Sequence, residues 1–303
     1  AARAGRKNLL INGGFDVWQR GTSFTTLNTY TADRWYTDSA GSHTRQTDTP
    51  ATFAYSIKLN PTSGNAVLRQ AIELPSAGIG GVFESGQQFT LSFWLKSSAG
   101  GEGINIFIAS GTEVAGATTQ MVSAIGIATT TTGWVKYTYT YTQSVAVGSS
   151  DTCYNIVPYV VAPSGDIYIT GVQLEVGSVA TDFEHRSYGE ILADCQRYYY
   201  QDTTRHYRPS FLDGSGNYPT VFVEHPVPMR ATATGAFLQA STFYYNHNGT
   251  GFSNFTPTPN TLSWNGDNKG GSLRYNAISN GQGAGKAMIV GIWYTQLKFN
   301  AEL

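Results

Sequence analysis

"QQFTLSFWLKSS" (residues 87–98) decides the fold. Phe89, Leu91, Phe93 and Leu95 recur every second residue, which places all four on one face of an extended strand. The same period runs outward in both directions. "GWVKYTYTYTQSV" (133–145) sets Val135, Tyr137, Tyr139 and Tyr141 against Lys136, Thr138 and Thr140. "RQAIELP" (69–75), "GINIFIAS" (103–110), "YNIVPYVV" (154–161) and "GDIYITGVQLEVG" (165–177) read as further strands, each bounded by Gly, Ser, Pro or Asn. Many short strands at this spacing predict an all-β sandwich or barrel, not a parallel sheet with helices.

One segment breaks the period. "HRSYGEILADCQRYYYQ" (185–201) places Tyr188, Ile191, Leu192, Cys195, Tyr198 and Tyr199 at helical intervals. Ser187 and Glu190 have capping-box spacing, so the expected helix spans 187–200, with Glu190, Asp194 and Arg197 mostly off its apolar stripe. Strands then return in "YPTVFVEH" (218–225), "TGAFLQASTFYYN" (234–246), "GGSLRYNAIS" (270–279) and "KAMIVGIWYTQLKF" (286–299). "HPVPMRATAT" (225–234) carries two prolines and reads as an edge or crossing segment. The expected organisation is an arm or linker at 1–7, a β-domain at 8–186, a connecting helix at 187–200 and a smaller β-domain at 201–303.

Composition narrows the function. Of 303 residues only 13% are charged, about half the usual ~25%, and the net charge is −1. A nucleic-acid partner is not expected, because counterion release needs a basic excess. No run of ~18 apolar residues exists, so no membrane insertion is expected. Cys153 and Cys195 are too few for a disulfide framework and read as two buried thiols. Gly, Ser, Thr, Asn and Tyr take the place of charge, a texture suited to meeting hydroxyl-rich surfaces.

Catalytic and metal motifs are weak. The five histidines show no zinc spacing, and no G-x-S-x-G elbow is present. "NGQGAGKAM" (280–288) has Asn280 and Ala287 where a phosphate loop needs Gly and Ser/Thr, so it reads as a hairpin turn. "NGDNKGG" (265–271) lacks the spacing of a calcium hand. Glu73, Glu84, Asp194 and Glu224 read as surface or ion-pair carboxylates rather than a glycosidase pair. The expectation is a non-enzyme with no cofactor and no metal.

"NLLINGGFDVWQRGTSF" (8–24) with "YTADRW" (30–35), followed by "ITGVQLEVGSVATDFEHRSYGEILADCQRYYY" (169–200), resembles bacteriophage virion proteins of the tail-fibre type. "PVPMRATAT" (226–234) and the final "AEL" add to the likeness. The resemblance implies a jelly roll similar to carbohydrate-binding modules, then a helix and a terminal β-domain. It makes 8–24 the first strand, with Phe15, Trp18 and Trp35 packed and Arg34 tied to Asp16 or Asp33. Carbohydrate-binding jelly rolls often hold calcium through acids in the last strand. Thr170 and Gly171 occupy those positions here, so none is expected. The resemblance further implies a homotrimer on the exterior of the virion, made in the bacterial cytoplasm, that contacts other virion proteins and binds host-surface glycan. The alternatives are a head fibre or capsid decoration protein and, third, a polysaccharide depolymerase.

Two sets of site residues follow. Exposed aromatics and amides on loops of the second domain make Tyr244, Tyr245, Asn246, Asn248, Phe252, Trp264 and Asn265 the candidate glycan contacts. Arg197, Tyr199, Arg205 and Arg208 cluster in "QRYYYQDTTRHYRPSF" (196–211) and are the candidate subunit interface, since Tyr and Arg carry interfaces.

Overall fold

The computed structural model describes residues 6–74, 82–114, 119–202, 206–212, 219–237, 242–246, 253–255, 262–275, 287–293 and 297–302. The chain divides into two compact units, one ending at Cys195 and the other covering Gln196–Glu302.

The first unit is an antiparallel sandwich. Its first sheet runs Ser23–Phe24, Ala40–Gln46, Ser56–Ser63, Ile167–Val176, Gln88–Ser97, Val135–Thr142. Its second sheet runs Thr119–Thr129, Gly103–Gly111, Cys153–Val160, Ala66–Val67, with Gln70–Glu73 also paired to Cys153–Val160. The pairing is nested. Ser56–Ser63 meets Ile167–Val176, Gln70–Glu73 meets Cys153–Val160, Gln88–Ser97 meets Val135–Thr142, and Gly103–Gly111 meets Thr119–Thr129. A long hairpin folded over on itself gives this order, which is the jelly roll.

The alternation read from the sequence builds the core. Phe89, Leu91, Phe93 and Leu95 face Ile104, Ile106, Ile108, Tyr154 and Ile156 across the sandwich, all buried. Each such side chain contributes about 1.5–3 kcal/mol through removal from water. Aromatic rings fill the sheet interface: Phe83 stacks on Tyr154 at 4.2 Å and on Phe89 at 5.3 Å, and Phe93 on Tyr137 at 6.0 Å. Tyr141 and Tyr154 share a hydrogen bond of 3.1 Å between their hydroxyls, and Tyr154 donates to Gln143, so their polar tips are satisfied inside.

The opening stretch differs from expectation. Residues 8–18 form no strand; the first strand is Ser23–Phe24. Asn12 organises the loop instead, its amide donating to the carbonyls of Val17 and Asp33 while its oxygen accepts from the Val17 N–H. Asn12 and Phe15 both take positive φ (58° and 57°), a backbone that cannot continue a strand. Phe15, Trp18 and Trp35 are buried, with Trp35 donating to the Asn12 carbonyl at 2.8 Å. Arg34 is bonded to the main chain. Its guanidinium donates to the Ala71 carbonyl, and Arg20 pairs with Asp33 at 3.4 Å.

The helix is Tyr188–Gln196, shorter than the expected 187–200, and Tyr199–Asp202 is already a strand. Its capping box is formed. The Glu190 N–H donates to Ser187 Oγ at 3.4 Å, and Glu190 Oε2 accepts from the Ser187 N–H at 3.1 Å. Ile191 and Cys195 bury against Val17, with Leu192 and Ile11 alongside. Asp194 is not off the buried side. It is buried and accepts from Arg6 at 2.5 Å and Arg186 at 2.7 Å. Burial pushes its carboxyl up, but the two guanidinium bonds outweigh that and hold it below the usual carboxylate range. Tyr188 is exposed. Both cysteine thiols are buried and no disulfide joins them.

The second unit is also antiparallel. A seven-stranded sheet runs Ser253–Phe255, Thr242–Asn246, Ala287–Trp293, His206–Leu212, Pro219–Glu224, Gly270–Tyr275, Leu262–Gly266. A three-stranded sheet runs Tyr199–Asp202, Leu297–Asn300, Thr234–Phe237. Val223, Met229, Ala233, Phe299 and Ala301 form a small core, with Tyr200 stacked on Phe299 at 6.0 Å.

Candidate functional site

The strand Cys153–Val160 has two unlike faces. Tyr154, Ile156 and Val160 point into the sandwich, so Cys153, Asn155, Val157 and Tyr159 point away from it. Register carries this outward face across the sheet. Ala71, Asn155, Ala109 and Gln120 form one row; Val157, Phe107 and Ser123 the next; Val67, Tyr159 and Asn105 a third.

The middle of this outward face is covered. Ala71, Ala109, Asn155 and Val157 are at most 2% exposed although no further sheet covers them among the described residues. Small side chains form the floor and larger ones the walls. Tyr30 and Tyr36 pack on Ala71, Cys153 and Val114 at one end, their rings 5.3 Å apart and edge-on. Phe107 and Tyr159 are half-buried at the other end. The Tyr36–Thr37 strand reaches this sheet through a bridge from Tyr36 to Arg69, with N–H to carbonyl bonds of 2.9 and 2.8 Å in the two directions.

Asn155 is the polar residue of the floor. Its Nδ2 donates to the Glu113 carbonyl at 3.1 Å, which fixes the amide orientation. Its Oδ1 is buried and accepts no hydrogen bond. An unmade bond at a buried acceptor costs about 1–3 kcal/mol. Asp38 receives two bonds from Arg69 on Oδ2, while its Oδ1 is also buried without a partner among the described residues. Burial raises the Tyr36 hydroxyl's pKa, and the Asp38 and Glu113 carboxylates add to that against an opposing pull from Arg69. Tyr36 therefore stays a protonated donor at neutral pH.

The outward face of the first sheet is different, because its polar groups are matched. Lys96 pairs with Asp48 and lies 4.6 Å over the Tyr168 ring, Trp134 donates to Asp48 at 3.0 Å, and Lys58 pairs with Asp166 at 3.2 Å. The segment after Val176 returns along this face. Lys136 donates to the Thr181 carbonyl, Gln173 to the Asp182 carbonyl, and Glu184 N–H to Gln173. Thr170 donates to the Tyr55 carbonyl at 2.7 Å. Gly171 sits at φ 61° where a Cβ would lie 2.6 Å from the Phe53 ring, so Thr170 and Gly171 serve a bulge and an aromatic contact. Among the described residues no group of three or more His, Cys, Asp or Glu side chains is placed to hold a metal ion.

The residues singled out from the sequence lie in the second unit. Tyr244, Tyr245 and Asn246 stand in the strand Thr242–Asn246, Trp264 and Asn265 in Leu262–Gly266. Four strands separate these two along the sheet, roughly 24 Å at ~4.8 Å per strand step, so the sheet does not bring them together as neighbours. Asn265 is exposed. Asn248, Phe252 and Arg205 lie outside the described residues. Arg208 pairs with Val290 within the strand His206–Leu212. Tyr199 is buried, its hydroxyl donating to Gln201, and Arg197 lies over the Tyr198 ring at 6.0 Å. Sequence reading missed Asn155, although a lone amide inside the apolar run "YNIVPYVV" was a signal for it.

No family model and no curated protein sequence matches the chain. Solved structures do. The enzymatically active domain of the bacteriophage CBA120 tailspike protein 4 is 19% identical with a TM-score of 0.36, over 56% of this chain and 21% of that one. This chain thus spans about a fifth of the tailspike domain. A cyclase from Fischerella sp. TAU bound to 4-(1H-indol-3-yl)butan-2-one is 11% identical with a TM-score of 0.41, over 58% and 100%. A family 16 carbohydrate-binding module is 19% identical with a TM-score of 0.30, over 44% and 84%. The structural neighbours of this chain thus include a phage tailspike domain and a carbohydrate-binding module, and likenesses of this size decide nothing about its activity.

Proposed function

We propose that this chain is a virion protein of the tail-fibre type that binds host-surface glycan without cleaving it, and that the outward face of the second sheet is the binding site. The observation that carries the reading is what this face exposes: the half-buried rings of Phe107 and Tyr159, with the exposed polar side chains of Gln120 and Ser123 alongside. Sugars present hydroxyl donors and apolar ring faces, and such a site answers both. The virion assignment rests on the paired sequence motifs, which also imply a homotrimer.

Binding of purified host polysaccharide, measured by calorimetry, tests the reading. Wild type is expected to bind and to release no new reducing ends. Absence of binding to any host glycan overturns the proposal, and release of oligosaccharides replaces it with a depolymerase. Light scattering tests the trimer, expected at three times 32.8 kDa.

A further inference from the structure

We infer that a second contact site lies where the opening loop meets the segment after Val176, and that it takes an arginine side chain of a partner polypeptide, paired with the Asp16 carboxylate and laid against the rings of Phe53, Phe183 and His185. The site shares no residue with the proposed glycan-binding face.

Three loops build the cluster. Asp16 comes from the opening loop, Phe53 from the connection between Ala40–Gln46 and Ser56–Ser63, and Phe183 and His185 from the stretch between Val176 and the helix. The three rings pack as a triad. Phe53 and Phe183 are 5.0 Å apart and edge-on, as are Phe183 and His185 at 5.0 Å, and Phe53 and His185 are 5.3 Å apart. Phe53 and Phe183 are half-buried and His185 is exposed, so the triad is open to solvent. Gly14 relates the carboxylate to the rings. A methyl built on it would lie 2.9 Å from Asp16 Oδ2 and 3.7 Å from the Phe183 ring, so the two groups flank the space of a single carbon.

Asp16 is the unmatched charge of this corner. It belongs to the loop, not to the strands of the first sheet whose charges are paired. It is half-buried, yet among the described residues its carboxylate makes no hydrogen bond and no ion pair. Neither of its oxygens is sealed from solvent. Burial holds its carboxyl above the usual range, and the charge of His185 opposes that only in part. A half-desolvated carboxylate without a partner lowers stability, so packing does not account for it. The adjacent cation, Arg186, is bonded to Asp194 at 2.7 Å instead.

Arginine answers both halves of the site. Its planar fork donates to both oxygens of a carboxylate at once, and its plane stacks on aromatic rings. Lysine offers a compact, strongly hydrated charge with no plane to stack. A neutral sugar would supply hydroxyl donors but leave the charge uncompensated.

The test is retention of the whole protein on beads carrying a short, otherwise uncharged peptide with one arginine, at about 0.15 M ionic strength. Matched beads carry lysine or citrulline, the neutral isostere, in its place. Retention on arginine beads above both others is expected. Asp16→Asn should reduce it about tenfold without lowering the unfolding midpoint, because the carboxylate has no partner to lose. Phe183→Ala should reduce it about two- to fivefold. Gly14→Ala needs no left-handed backbone and meets only the movable end of Asp16 closely, so it should fold and still crowd the site. It decides the matter if Phe183→Ala fails to fold. Asp182→Asn, at an exposed carboxylate on the same segment, should change nothing. Equal retention on lysine or citrulline beads overturns the inference, as does full retention of Asp16→Asn. Equal losses in Asp16→Asn and Asp182→Asn overturn it too, because net surface charge then explains the binding.

Discussion

The two outward faces of the sandwich are built from the same kind of strand, yet one is closed by its own chemistry and the other is not. On the first sheet, Lys96, Asp48, Trp134, Lys58 and Asp166 pair among themselves, and the returning segment uses Gln173, Lys136 and Glu184. On the second sheet, small residues are covered at the centre, Asn155 and Asp38 each hold one acceptor unused, and Phe107 and Tyr159 stay half-buried. A face whose polar groups are matched needs no ligand. A face that keeps buried acceptors unmade and rings half-exposed is not optimised for stability alone. The comparison therefore separates structure from function better than counting exposed aromatics, since both faces have those.

The strongest way to break both faces together is to remove what they share. Trp35→Ala empties a fully buried site in the sandwich core and should cost about 3–5 kcal/mol, read by urea unfolding. A loss below about 1 kcal/mol would mean that Trp35 does not pack as described. The next effect is confined to the helix. Asp194→Ala removes the carboxylate that holds Arg6 and Arg186 and should cost about 2–3 kcal/mol. Hydrogen exchange should show the loss concentrated at 188–196; uniform loosening of the whole unit would contradict a local anchor.

Binding sharpens the contrast. Tyr159→Ala on the outward face of the second sheet should weaken glycan affinity about tenfold, or ~1.4 kcal/mol, while Trp134→Ala on the matched face should leave it unchanged. The opposite pattern would move the site to the first sheet.

The smallest effect concerns pH. His43 is fully buried, and burial lowers its pKa below 6.5 against a weaker opposing bond to the Ser39 carbonyl. The folded protein binds this proton less readily than the unfolded chain. Its contribution is thus full above the unfolded value of 6.5 and declines as pH falls below it, toward the folded pKa. Unfolding midpoints should fall between pH 7 and pH 5, and His43→Gln should flatten that slope. An unchanged slope would assign the dependence to other groups.

Much of this was legible in the residues alone. Period-two runs such as 87–98 and 135–142 named their strands and their core faces, because alternation is a local property of an extended chain. The capping box at Ser187 and Glu190 fixed where the helix begins, since its bonds span only three residues. The helix end was not legible. Tyr198 and Tyr199 keep the helical spacing, but the strand Tyr199–Asp202 pairs with Leu297–Asn300, and a partner some hundred residues away outcompetes local period.

The candidate site was illegible for the same reason, magnified. Tyr36, Asp38, Arg69, Phe107, Asn155 and Tyr159 come from four separate segments, and no spacing in the sequence connects them. Composition drew attention to aromatics and amides of the second unit instead. By itself, then, the sequence determined which residues alternate, which helix starts where, and that the chain meets its surroundings with hydroxyls, amides and rings rather than charge. Tertiary structure alone decided which polar groups found partners. Pairing depends on register between distant strands, and that register matched the groups of one face and left the acceptors of the other open.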